Sequence, residues 1–200
     1  MKNKALTLCT LIIMSVVFSG CGSRAALNQR SFLIEPSRNI PQQKTVKNII
    51  LDVKSFNIDR TFDTKSLVYR KRQSEYETDF YNQFLISPDE MITQKTRSWL
   101  SQSGMFKWVL EPGSYTNPTH VLEGNISALY GDFRDMANPK AVMSIRFFVI
   151  KLPDKDIVFG KTYEAQSKVE SKNAESLVKS FDECLANILA NLEKDLNGQL

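Results

Sequence analysis

The sequence predicts a single α+β domain, a mostly antiparallel sheet with two helices packed on one face, behind an N-terminal export signal. Three observations predict it. Apolar-alternating segments, short at first and longer later, are punctuated by Pro, Gly and Asn turns. Ser87-Pro88-Asp89-Glu90 has the composition of a helix start. A stripe of apolar residues from Ala174 to Leu196 recurs at helical spacing.

In chain order, the first element is the export signal. Lys2 and Lys4 make a positive n-region, and Ala5 to Phe18 is an almost uncharged apolar run. That run falls short of the roughly 20 residues a spanning helix needs, and it matches the h-region of a secretory signal. Phe18-Ser19-Gly20-Cys21 ends it with small residues before a thiol. This resembles the lipobox of bacterial lipoproteins, with Phe18 where Leu is usual. The resemblance implies removal of residues 1–20 and acylation of Cys21, palmitate included. The plainer alternative is an ordinary signal cut near Gly20. Acyl chains contribute about 0.8 kcal/mol per buried CH₂, so two or three hold a chain durably at a membrane. Gly22 and Ser23 place no aspartate after the cysteine, which in enteric bacteria resembles an outer-membrane address facing the periplasm. Residues 21–30 then read as a lipidated tether of small and polar residues, and residues 31–200 as one domain with a real core.

The strands come next. Ser31 to Ile34 is halted by Glu35-Pro36, and Asn48 to Val53 reads as a buried strand. Leu67 to Arg70 and Tyr76 to Phe84 read as a hairpin with the polar tip Lys71 to Glu75. In the helix that follows, Ser87 is placed to cap, Pro88 suits the first helical position, and Glu90 completes a capping box. Ile92, Thr96, Trp99, Leu100 and Ser103 share a face, and Gly104 stops the helix. Met105 to Leu110 is a short strand. Three longer ones follow: His120 to Tyr130, Ala141 to Ile150, and Ile157 to Ala165, the last pair joined through Pro153-Asp154. In the middle one, Ala141, Met143, Ile145, Phe147 and Val149 face one way. Val142, Phe148 and Ile150 face the other and leave a second cover open. The closing helix starts at Asn173, with Gly198 just beyond its end.

The chemistry-bearing residues are sparse. The chain has 26 basic and 22 acidic residues, and losing Lys2 and Lys4 leaves 24 against 22. No basic stripe suggests nucleic acid. Of three cysteines, Cys9 leaves with the signal and Cys21 is acylated, so Cys184 has no intramolecular disulfide partner. On an apolar helical face it reads as a buried thiol rather than a redox group. His120 is the lone histidine; a Ser-His-Asp arrangement around it is formally open, yet no Gly-x-Ser-x-Gly elbow exists and no second histidine could share a metal. Asp79, Glu123, Asp132 and Asp135 lack a spacing that suggests a catalytic pair. No catalytic residue, metal site or cofactor is expected beyond the lipid on Cys21. Arg70-Lys71-Arg72 reads first as a soluble turn; the alternative is attraction to an anionic surface, at roughly 1 kcal/mol per basic residue. Trp99 and Trp108 flank Gly104 and read as core, though an exposed Trp108 could anchor a partner.

Taken together, the strand Phe32-Leu33-Ile34-Glu35-Pro36, the block from Leu67 to Phe84, Ser87-Pro88, and Leu100-Ser101-Gln102-Ser103-Gly104-Met105-Phe106 resemble the ABC-type transport auxiliary lipoproteins (PqiC/YmbA-like). The likeness spans nearly all of the mature chain. Two positions depart from it: Phe32 stands where Tyr is common, and Gln83-Phe84-Leu85 replaces a frequent Arg-Trp pair. The resemblance implies a fold similar to the N-terminal domain of TolB, with residues 31–200 as an ABC transport auxiliary domain. It also implies service without catalysis to an ABC transporter that has a mammalian-cell-entry-type periplasmic subunit and moves lipids across the envelope. Arg70, Lys71, Arg72 and Trp108 are the residues expected to meet that partner. A lipid-carrying or outer-membrane assembly lipoprotein is the alternative, and a homo-oligomer is left open.

Overall fold

The computed structural model describes residues 28–44 and 46–200. The signal segment, Cys21 and most of the expected tether lie outside the described residues. Among the described residues nine strands form one sheet: β1 (Arg30–Phe32), β2 (Lys47–Val53), β3 (Asn57–Ile58), β4 (Ser66–Arg70), β5 (Tyr76–Phe84), β6 (Phe106–Leu110), β7 (His120–Asp132), β8 (Lys140–Lys151) and β9 (Asp156–Lys168). The helices are α1 (Pro88–Gln102) and α2 (Ala174–Gln199). This is the single α+β domain expected.

The 13-residue β7 organises the sheet. One of its edges carries the long antiparallel ladder to β8, which pairs in turn with β9. Its other edge is shared end to end by three short strands: β2 at His120–Leu122, β3 at Asn125–Ile126 and β4 at Gly131–Asp132. These three pair in parallel with β7, a feature the strand pattern alone does not reveal. β6 extends the β2 wing, while β5 and then β1 extend the β4 wing. β3, only two residues long, is absent from the sequence reading because so short a strand has no period to detect.

Both helices cover the face carrying Val53, Leu122 and Val149, which align across β2, β7 and β8. The face predicted for β8 is fully buried: Ala141, Met143, Ile145, Phe147 and Val149 are all inaccessible. On α2 the apolar stripe closes onto it, with Leu177, Phe181, Leu185, Leu189, Leu192 and Leu196 equally buried. Gly124 lets this packing come close. The Phe56 ring lies directly over it, 2.6 Å from where a Cβ would stand, and meets Phe147 edge-on at 5.6 Å.

The local signals hold with three corrections. Ser87 sits at the start of α1, but its side chain makes no cap hydrogen bond, so the capping box does not form. Pro88 at the first position and the acidic first turn, Asp89 and Glu90, are what favour this end. Gly104 does stop α1, at φ +67°, a conformation that costs a β-carbon residue. Gly198, by contrast, lies inside α2, because the Leu200 N–H continues the ladder to Leu196 O and buried Leu196 pins the last turn. The outer face of β8 is not covered by any described element. Val142, Phe148 and Ile150 are half-buried because neighbouring strands shield them, Phe148 lying against Gly160 where no side chain intervenes. Asn173 caps α2 as its residue type suggests, accepting from Ser176 N at 2.8 Å.

Candidate functional site

Among the described residues, the groups with catalytic potential are engaged in structural contacts. His120 opens β7, half-buried, with Nδ1 3.0 Å from Thr119 Oγ1 and no carboxylate bonded to it. Burial and the nearby Lys151 charge hold its pKa below the usual histidine value, so the ring is neutral near pH 7. Cys184 is buried, its Sγ 3.7 Å from Ala141 O, and burial pushes the thiol up to about 12. Asp132 grips the Arg134 guanidinium, and Asp135 caps its own turn through Ala137 N and Asn138 Nδ2. Glu123 points out from the uncovered face.

The basic run does not form one patch. Arg70 ends β4 half-buried, its guanidinium 5.6 Å from the Tyr76 ring centre and 5.9 Å from that of Tyr130, with Nη2 donating to Gln73 O at 2.6 Å. Lys71 lies over Tyr69 and Phe133 and pairs with Glu77 at 3.5 Å. Arg72 is the outward-facing member, its side chain 82% exposed and paired with Glu75 at 2.8 Å. The hairpin tip is thus tied to an aromatic cluster of Phe62, Tyr76 and Tyr130 through Arg70. The two tryptophans separate as well. Trp99 is core, whereas Trp108 is 63% exposed on β6, which among the described residues pairs only with β2.

Two arrangements escape the sequence reading. The first is a buried ion pair. Glu193, 1% exposed, accepts from Arg38 Nη2 at 2.8 Å, Arg38 Nε at 3.2 Å, Gln43 Nε2 at 3.0 Å and Trp99 Nε1 at 2.9 Å. It ties the loop after β1 to both helices. The only hint in the sequence is an acidic residue beside Leu192 in an otherwise apolar stripe.

The second is a large bulge in β5. Two steps along β4, from Ser66 to Val68, oppose five along β5, from Gln83 to Thr78. The surplus is held by Asp79, whose Oδ1 accepts from Tyr81 N and Asn82 N, and whose Oδ2 accepts from Tyr69 Oη and Asn82 Nδ2, all at 2.8–3.0 Å. Burial opposes ionisation here, but these hydrogen bonds prevail and keep the carboxyl below its usual range. The bulge displays Phe80, 59% exposed, and Tyr81, 55% exposed, packed edge-to-face at 5.4 Å. Two adjacent aromatics between Asp and Asn, breaking strand alternation, are the signal that could have marked it.

The comparisons with known proteins agree with the fold. Residues 32–192 match the model of the ABC-type transport auxiliary lipoprotein component. The chain belongs to this family. A crystal structure of a Xanthomonas campestris protein of the DUF330 family is similar at a TM-score of 0.73 and 14% identity, over 84% of this chain and 97% of that one. A second crystal structure, of an uncharacterized protein, is similar at 0.67 and 13%, over 84% and 99%. At such identities these likenesses establish the architecture alone. No match is found among the curated proteins. The family is one of envelope lipoproteins that assist ABC-type transport, an auxiliary rather than a catalytic role.

Proposed function

We propose that this lipoprotein is acylated on Cys21 and held at the periplasmic side of the outer membrane. There it serves as the non-catalytic auxiliary of an ABC transporter with a mammalian-cell-entry-type subunit that moves lipids. The observation that carries the reading is the family match over residues 32–192. A domain of this kind acts by contact.

Trp108 and Arg72 are the best-presented members of the expected contact set. Trp108 offers a large rigid apolar surface on a strand with one unpaired edge among the described residues, and such residues dominate binding when buried by a partner. Arg72 supplies an exposed charge for orientation. Lys71 and Arg70 hold the tip in place from beneath.

Cross-linking in membranes, followed by co-purification, should capture the mammalian-cell-entry-type subunit. Trp108→Asp and Arg72→Glu should reduce the yield without moving the unfolding midpoint. Capture of no transporter component overturns the reading, and undiminished capture by both variants overturns the contact. Cys21→Ala should release the chain from membranes.

A further inference from the structure

The β5 bulge stands beside the point where the chain arrives from its N-terminal segment. Gln29 Nε2 donates to Phe80 O at 3.1 Å, and β1 begins one residue later, pairing Arg30 with Asn82. Only the residues between Cys21 and Gln29 separate this contact from the site of acylation, a span of at most about 29 Å when fully extended. Whatever membrane holds the acyl chains is therefore within reach of Phe80 and Tyr81.

The surface around these two rings has an interfacial composition. A groove of about 400 Å³ runs from Phe80 and Tyr81 past Tyr69 and Phe133 to Met136, which is 48% exposed. Lys71 and Lys172 line it as well. Its two acids are already engaged, Asp79 by four hydrogen bonds and Glu77 by Lys71. Exposed aromatic and Met side chains, with Lys172 at their margin, fit the headgroup boundary of a bilayer, where amphipathic rings are enriched and basic groups meet lipid phosphates. The rings are also presented rigidly. Asp79 locks the backbone that bears them, so little conformational freedom is lost on insertion.

We propose that the Phe80–Tyr81 bulge and the groove beside it are a membrane-seating surface. It dips into the bilayer that holds the Cys21 acyl chains and fixes the orientation of the domain. This rests on the acyl anchor proposed above. The anchor sets the distance, and the bulge sets the tilt. Trp108 on β6 belongs to the wing that β2 joins to the start of β7, and β5 and β1 to the wing that β4 joins to its end, so the two surfaces are separated along the length of β7.

The test uses the full mature lipoprotein in vesicles of phosphatidylethanolamine and phosphatidylglycerol, with and without brominated acyl chains. A Phe80→Trp reporter should be quenched by the brominated lipid and shifted to the blue, whereas the native Trp99 and Trp108 emission should not change. A Met136→Trp reporter should be quenched as well, and should lose that quenching when Phe80 and Tyr81 are both changed to Ser in a chain whose unfolding midpoint shows it is folded. Intact mass and vesicle flotation read the anchor separately. A chain without acyl groups that does not float overturns the anchor. An acylated, floating chain whose Phe80→Trp emission ignores brominated lipid overturns the seating surface. If that unquenched reporter instead cross-links to a second copy, the groove is a protein interface and the proposal is overturned in that direction.

Discussion

Replacing Glu193 by Ala should be among the most damaging single changes available in this domain. The carboxylate is 1% exposed and the Arg38 side chain 8% exposed, with both guanidinium donors that face Glu193 aimed at it. Truncation leaves a buried cation without its counter-charge and removes the acceptor of Trp99 Nε1 and Gln43 Nε2. Removing one partner of a buried pair costs about 3–5 kcal/mol, because the remaining charge stays desolvated. With a urea m-value of about 2 kcal/mol/M, that lowers the midpoint by roughly 1.5–2.5 M, a large share of a stability of about 5–15 kcal/mol. Equilibrium urea unfolding followed by circular dichroism reads it directly. Arg38→Met should be comparably destabilising. The double variant Arg38→Met/Glu193→Leu should recover much of the loss, since an apolar pair leaves no charge buried. It should fall short of wild type by about 1–3 kcal/mol, the cost of the Trp99 N–H left without an acceptor. A Glu193→Ala midpoint within experimental error of wild type would refute the reasoning. So would single and double variants whose losses simply add.

The other expectations are simpler to state. Leu189→Ala, at a fully buried position in the middle of the α2 stripe, should cost about 2–5 kcal/mol through the cavity it leaves, read as a lowered urea midpoint at unchanged m. Asp79→Asn should destabilise the bulge at neutral pH and flatten the acid limb of the stability profile. The folded Asp79 carboxyl lies below its unfolded value of about 3.9, so its contribution is complete above that pH and disappears as pH falls through the folded value; a variant with the same acid limb as wild type contradicts this. Cys184 should resist thiol reagents at pH 8 in the folded chain and react promptly in denaturant, as 1% exposure and a thiol pushed up to about 12 require. Gly124→Ala should destabilise or displace Phe56, visible as a changed near-ultraviolet signal, because the new methyl would stand 2.6 Å from the ring.

Periodic features were legible in the residues because their physics is local. The α2 stripe, the buried face of β8 and the Gly104 stop each follow from repeats of 3.6 or 2 or from one backbone conformation. The same local reading expected Ser87 to close a capping box and Gly198 to end α2; Ser87 makes no cap hydrogen bond, and buried Leu196 carries the helix past Gly198. The division of β7's edge among β2, β3 and β4 could not be read, because parallel pairing joins segments far apart in sequence and leaves no local mark. Nor could the fate of the basic run. Arg70 and Arg72 are two residues apart and chemically alike, yet one is absorbed by the Tyr76 and Tyr130 rings and the other stands in solvent. Trp99 and Trp108 divide the same way, one bonded to Glu193 in the core and one exposed on β6. By itself the sequence determined a family likeness and the order of elements apart from β3, and it led to the expectation of an export signal and an acylated Cys21. Only the tertiary structure decided which polar and aromatic groups are used up inside the domain and which face outward, because burial and hydrogen bonding are properties of neighbours brought together by the fold.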